Sequence, residues 1–306
     1  MKKKKSMSLI TDDMRRILDD RQTRKKLLAE LDTRLDRPVA TLFTSFGGDA
    51  PRLDDADADI LEAILQKTDL SDGLALIISS PGGEGVPAER IINICRQYSG
   101  TGEYWAIVPS RAKSAATLVC FGARKIIMSG TSELGPIDPQ IFLPNTVVGK
   151  FSAHNVVKRY DDLFAKAVED TSGNIEPYLQ QLDRYDDRDI QDFRNLNDLA
   201  EDIAVRALRS GMMANLAPGK IIEKIKGFLK PDKPKSHARP IYFEEAGKAG
   251  LNIEVMDLRS ETWNLIYELY ISTDRSVNSE NGKCVETKEH SLFLFPRPQK
   301  TGETPR

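Results

Sequence analysis

The 306-residue chain sets 44 Lys plus Arg against 46 Asp plus Glu, a net charge of −2, so its bulk electrostatics exclude nucleic acid as a default partner. An apolar content of 40% is that of a globular protein with a buried core. Lysines 2–5 look like the start of a signal peptide, but residues 6–13 hold no apolar run of the length secretion requires. No window approaches the roughly 18 uninterrupted apolar residues of a membrane span, and the expected location is the cytoplasm. Cys95, Cys120 and Cys284 are too few and too scattered for a disulfide framework or a metal cluster. All three are read as reduced, the first two as core, with no metal and no cofactor expected.

Residues 11–35 have apolar positions at helical spacing among many charges, which predicts an exposed helix as an N-terminal lead-in. A β-rich stretch at 39–46 ends in the Gly47–Pro51 loop, and an amphipathic helix is expected over 54–68. The wholly apolar run 74–78, followed by Ser79-Ser80-Pro81-Gly82-Gly83, reads as a strand buried on both faces that ends in a tight turn. A helix over 87–98, a strand over 104–108, a small-residue helix over 114–122 and a strand over 125–128 follow in quick alternation. That alternation means βαβ units and a largely parallel sheet with right-handed crossovers. Past residue 140 helical periodicity dominates, with helices expected over 153–171, 175–182, 187–210 and 219–229. This is a helical C-terminal extension of the α/β unit. The loop 231–235 delivers Ser236 to Ile241 before a helix over 243–249. The tail reads as a helix over 261–271, a polar loop, a strand over 291–295 and a frayed end at 301–306. The resulting division is a lead-in over 1–37, a main domain over 38–257 and a tail over 258–306.

Gly82 and Gly83 follow a buried strand directly, so the backbone there can turn sharply and present N–H groups to a reacting atom. Alone, Pro-Gly-Gly is foremost a turn signal. Ser114 opens a helix at the carboxyl end of the next strand, where ligands bind in open α/β sheets. Alone, it reads as an N-cap. Together the two signals lie on adjacent βα units and would face one crevice holding a hydroxyl and paired amides. Such a hydroxyl needs a base. His237 stands in a Pro-flanked polar loop, His154 begins an amphipathic helix and His290 borders the last strand. Asp138, in the rigid turn Leu134-Gly135-Pro136-Ile137-Asp138-Pro139-Gln140, could orient the base or be a plain turn residue. A desolvated lysine is the alternative base: Lys113 adjoins Ser114 and points away, while Lys150 and Lys158 are better placed. Ser110 and Ser132 are spare serines near the same edge, and neither opens a small-residue helix.

The strings Ile78-Ser79-Ser80-Pro81-Gly82-Gly83, Lys113-Ser114-Ala115-Ala116-Thr117 and Leu134 to Gln140, with Ser236-His237-Ala238-Arg239-Pro240-Ile241, resemble the serine dehydrogenase proteinase family. That family is a distant relative of Clp peptidases and signal peptide peptidase A, and the likeness covers about residues 38–257. It implies a Clp/crotonase-type fold and a Ser, Asp, His triad on Ser114, Asp138 and His237. Backbone amides at Gly82, Gly83 and Ala115 would form the oxyanion hole. The implied activity is cleavage of peptide bonds through an acyl-enzyme on Ser114. The substrate would be a peptide or unfolded protein, the assembly a homo-oligomer, and any regulatory or unfolding partner a separate protein. A crotonase-like acyl-CoA enzyme and a catalytically silent oligomeric binding protein are the alternatives. Three departures stand out: Ala115 and Ala116 where the family favours glycine after the serine, no N-terminal membrane helix, and Lys113 where some relatives are apolar.

Overall fold

The computed structural model describes residues 21–47, 52–141, 150–171, 173–230, 237, 239–279 and 282–295. The expected features at Lys2–Lys5, Gly48–Pro51, Pro231–Ser236 and Thr301–Arg306 lie outside the described residues. In chain order the elements are α1 (Arg21–Leu35), β1 (Val39–Thr44), α2 (Asp55–Leu65), β2 (Leu74–Ser79), α3 (Gly85–Tyr98) and β3 (Tyr104–Val108). Then come β4 (Arg111–Ala112), α4 (Ala115–Phe121), β5 (Lys125–Met128), β6 (Glu133–Leu134), β7 (Gln140–Ile141) and β8 (Phe151–Ser152). The second half holds α5 (Ala153–Glu169), α6 (Glu176–Leu182), α7 (Asp187–Ser210), α8 (Pro218–Leu229) and α9 (Phe243–Lys248). It closes with β9 (Ile253–Val255), α10 (Glu261–Ser279), β10 (Lys283–Glu286) and β11 (Ser291–Leu294).

Seven strands form the main sheet in the order β11-β10-β1-β2-β3-β5-β9. Strands β1, β2, β3, β5 and β9 run parallel, and β10 and β11 add an antiparallel edge. This is the α/β class with a largely parallel sheet. The central strands β2, β3 and β5 are largely apolar because both faces are covered. Alternate residues serve opposite layers: Leu76, Ile78, Ala106 and Val108 pack under α2, α3, α4 and the later helices, whereas Ala75, Ile77 and Ile107 pack under α1 and α10.

Two expectations are corrected here. Helix α1 is not an exposed lead-in, since Leu27, Leu28, Leu31 and Leu35 are buried against the sheet and α10. The polar stretch before the last strand contains β10, which pairs with β1. Its charged residues, Lys283 and Glu286, are both neutralised by partners remote in sequence. Lys283 Nζ lies 2.7 Å from Asp57 Oδ2 and 2.9 Å from Asp54 Oδ1, and Arg24 Nε lies 2.8 Å from Glu286 Oε2. All three cysteines are free and buried, as the composition suggested for Cys95 and Cys120. Among the described residues no helix is long and apolar enough to cross a membrane.

Candidate active site

Strand β2 delivers its chain into a turn that is clamped at once to the next βα unit. Ser80 N–H donates to Arg111 O (3.2 Å) and Lys113 N–H donates to Ser80 O (3.0 Å), so the segments carrying the glycines and Ser114 lie side by side. Gly82 has φ +90°, and a Cβ there would stand 2.4 Å from Lys113 O and 2.6 Å from Ser114 Cβ. Only glycine fits. At Gly83 a Cβ would stand 2.1 Å from Leu53 O, because Leu53 pairs with this turn: its N–H donates to Gly82 O (3.1 Å) and its carbonyl accepts from Glu84 N–H (3.0 Å).

Ser114 occupies the position before α4 but does not cap it: its side chain makes no capping bond. Its backbone sits at φ +50°, ψ −123°, a region that disfavours any residue with a Cβ. Strain of this kind costs of the order of 1–3 kcal/mol and persists where the surroundings over-determine the conformation. The surroundings here include Thr117, fully buried one turn along α4. Its Oγ1 lies 2.8 Å from Ala112 O and 3.1 Å from Gly135 O, and accepts Gly135 N–H at 3.1 Å. The oxyanion candidates divide. Gly82 N–H is already donated to Ser80 Oγ (3.0 Å), which Thr44 Oγ1 also reaches at 2.6 Å, so Gly82 supplies space and shape. Among the described residues, the N–H groups of Gly83 and Ala115 enter no hydrogen bond. Both residues line the cavity that Ser114 opens into.

Asp138 and His237 are brought together across 99 residues. Leu134 and Ile241 exchange both backbone bonds (2.9 and 3.0 Å), and Ile137 N–H donates to Phe228 O (2.9 Å), so Phe228 before His237 and Ile241 after it are both held to the Asp138 turn. His237 Nδ1 lies 2.8 Å from Asp138 Oδ1. The other oxygen, Oδ2, accepts from Gln140 Nε2 at 2.9 Å. The carboxylate side chain is 0% exposed and the imidazole 24% exposed. A carboxylate accepts only, so Nδ1 carries the hydrogen and Nε2 is the ring nitrogen left to act as acceptor.

Ser114, Gly83, Ala115, Asp138 and His237 all line one cavity of about 1010 Å³. The rival residues mostly do not. Lys113 Nζ turns to Glu133 (2.9 Å) and Leu134 O (3.1 Å), and burial leads in holding its ammonium below the usual lysine range. Lys158 pairs with Asp162 on the exposed face of α5. Lys150 does line the cavity, and its ammonium is held below the usual range first by burial and then by the charge of Arg52. Ser132 is buried and its Oγ accepts Ser129 N–H. Ser110 interacts with Tyr270. His290 sits in the turn joining β10 to β11, and His154 lines a separate, smaller cavity.

Sequence reasoning missed Ser80, Thr44, Thr117 and Gln140 as the residues that hold the site. Gln140 was readable only as the end of the Asp138 string. Thr117 stands three residues after Ser114 on the small-residue helix, a spacing that was its one signal. Among the described residues no cluster of side chains could hold a metal ion.

Residues 51–175 match the sequence model of a family described as ClpP-like SDH-type serine proteinase. An uncharacterized protein of Methanocaldococcus jannaschii is 30% identical over 200 residues, which cover 64% of this chain and 57% of the relative. A second uncharacterized protein of the same organism is 31% identical over 85 residues, 28% of this chain and 26% of that relative. The match therefore spans under two thirds of the length of both curated relatives. Among solved structures, a serine-to-alanine mutant of the membrane-bound stomatin-specific protease 1510-N is similar at 12% identity with a TM-score of 0.36, over 71% of this chain and 78% of that one.

Proposed function

We propose that this chain is a serine peptidase that cleaves peptide bonds through an acyl-enzyme on Ser114. The observation that carries the reading is a strained, uncapped serine opening into the same cavity as an imidazole hydrogen-bonded at 2.8 Å to a buried carboxylate. The match of residues 51–175 to ClpP-like serine proteinases supports it. In the reaction, His237 Nε2 takes the proton from Ser114 Oγ as that oxygen attacks the carbonyl carbon. The oxyanion so formed is met by the free N–H groups of Gly83 and Ala115. His237 then passes the proton to the leaving amine as the C–N bond breaks. Water, deprotonated by the same imidazole, releases the acyl group and restores Ser114. Asp138 keeps the ring in the tautomer this requires. The substrate is a peptide or an unfolded segment, with homo-oligomeric assembly and a cytoplasmic setting as parts of the same reading.

The test is covalent labelling. A fluorophosphonate probe labels the wild-type protein, Ser114→Ala abolishes the label, and peptide hydrolysis falls by about 10⁴-fold or more with it. Equal labelling of both proteins overturns the assignment. An acyl-CoA enzyme on the same scaffold would instead be inert to the probe and would show a thermal shift with coenzyme A. One observation favours a second reading of the base: Lys150 lines the cavity with its ammonium destabilised. In that case Lys150→Ala abolishes hydrolysis and His237→Ala leaves it; the triad reading requires the reverse.

A further inference from the structure

Three polar side chains of α10, Tyr270, Asp274 and Asn278, recur at four-residue intervals and so lie along one stripe of the helix. This stripe ties together two strand ends. Just after β1, Asn278 Oδ1 accepts from both the Ser45 hydroxyl (2.8 Å) and Phe46 N–H (2.8 Å), and Gly47 N–H donates in turn to Ser45 Oγ (3.0 Å). Just after β3, Ser110 is hydrogen-bonded to Tyr270. Asp274 stands one helical turn from each of the other two. Burial pushes its carboxyl above the usual carboxylate range, while its side chain is bonded to Asn278 and drawn to the charge of Arg111. The Arg111 guanidinium lies 4.0 Å from the centre of the Phe46 ring.

What these ties share is Phe46, held at its backbone by Asn278 and at its ring by Arg111. Core packing does not account for it: the residue is only half-buried, and among the described residues it belongs to none of the apolar core clusters. It lines the same cavity as Ser114, Gly83 and His237. An aromatic ring fixed in this way at a cavity wall is preorganised to receive a ligand. The sheet order gives its place. Strands β1 and β3 flank β2, Ser114 follows β3, Gly82 and Gly83 follow β2, and Phe46 follows β1. The cleft therefore runs from the nucleophile past the oxyanion turn to Phe46. Two strand spacings are about 10 Å, the length of about three residues of extended peptide.

We propose that Phe46 is a specificity-determining residue: its ring binds an aromatic side chain of the peptide about three residues from the scissile bond, and α10 holds it there through Asn278 and through Asp274 acting on Arg111. This rests on the hydrolase reading for the position of the scissile bond, but the contact itself can be measured as binding. Such a ring favours a second aromatic ring over an aliphatic chain, because paired rings gain from their quadrupoles as well as from burial.

The probes are fluorescein-labelled Ala/Ser peptides of about ten residues, carrying a single Phe, Leu or Ala walked through the chain. Binding to the Ser114→Ala protein is read by fluorescence anisotropy. At one position Phe should bind about 10-fold more tightly than Ala and about threefold more tightly than Leu. In the same background, Phe46→Ala should bring the three peptides to within about twofold of one another, and Phe46→Tyr should keep the Phe preference. Circular dichroism and the melting temperature establish that the variants fold. Should Phe46→Ala not fold, Phe46→Leu keeps the apolar bulk and should leave Phe and Leu peptides equal. Asn278→Leu leaves the Phe46 ring in the chain but removes the acceptor of its N–H, and should cut the Phe preference about threefold or more. Equal affinity for the three peptides at every position overturns the proposal, as does a Phe preference that survives Phe46→Ala or Phe46→Leu. A preference unchanged in Asn278→Leu overturns the part assigned to α10. Fluorophosphonate labelling of the wild-type protein separates the two claims. Labelling without aromatic preference sinks this inference alone. Aromatic preference without labelling leaves an aromatic-binding cleft and sinks the hydrolase.

Discussion

The two halves of the candidate site are built by different means. The nucleophile half is local: Gly82, Gly83 and Ser114 belong to adjacent βα turns, locked by two backbone bonds between Ser80 and the strand before Ser114 and by contacts that leave no room for a methyl group. The acid–base half is long-range: Asp138 and His237 meet because Leu134 and Ile241 form one reciprocal bridge and Ile137 reaches Phe228. Strain is concentrated in the first half, at Ser114, whereas the imidazole of the second half is 24% exposed. A rigid nucleophile beside two fixed amides is what oxyanion stabilisation requires. An imidazole held through Nδ1 leaves Nε2 for the acid–base step.

Apart from loss of the Ser114 hydroxyl itself, the largest perturbation should come from the acid–base half, where the Asp138–His237 contact carries the geometry. His237→Ala should lower kcat by about 10⁴-fold while leaving the melting temperature near that of the wild type, because the side chain is partly exposed. Asp138→Asn should cost about 10³ to 10⁴-fold in kcat, since an amide in place of the carboxylate permits the wrong tautomer. Circular dichroism should show an intact fold for both, and an Asp138→Asn protein with unchanged kcat would break the comparison. Gly82→Ala attacks the local half instead. A methyl group forced to 2.4 Å from Lys113 O at φ +90° must displace Ser114, so kcat should fall about 100-fold together with a lower melting temperature. Loss of activity with unchanged stability would mean that the turn is softer than its packing indicates.

The same contrast governs what could be read from the sequence. Buried apolar strands at 74–78 and 125–128, and glycines placed directly after one of them, announce parallel βα units because each signal is completed within a few residues. Strand β10 was illegible because Lys283 and Glu286 look like surface residues until Asp54, Asp57 and Arg24 are brought to them. Helix α1 was misjudged for a related reason: its leucines are diluted by charges, and the partner that buries them, α10, lies more than 200 residues later. Within the site, Ser114, Asp138 and His237 could be named as candidates. Nothing local could reveal that Gly82 N–H is consumed by Ser80 Oγ, whereas those of Gly83 and Ala115 enter no hydrogen bond among the described residues.

The smallest expected effect tests the seam between the halves. Thr117 Oγ1 ties the helix of the nucleophile, through Ala112 O, to the Asp138 turn, through both the N–H and the carbonyl of Gly135. Thr117→Val preserves shape and leaves the buried Gly135 N–H without its acceptor, which should destabilise the fold by about 1–3 kcal/mol in chemical denaturation. If the seam also sets the distance from Ser114 to His237, kcat should drop several-fold while KM stays near its wild-type value, and fluorophosphonate labelling should slow in proportion. A variant that loses stability but labels at the wild-type rate would mean that the two halves are aligned by the sheet itself, with Thr117 serving only to satisfy a buried amide.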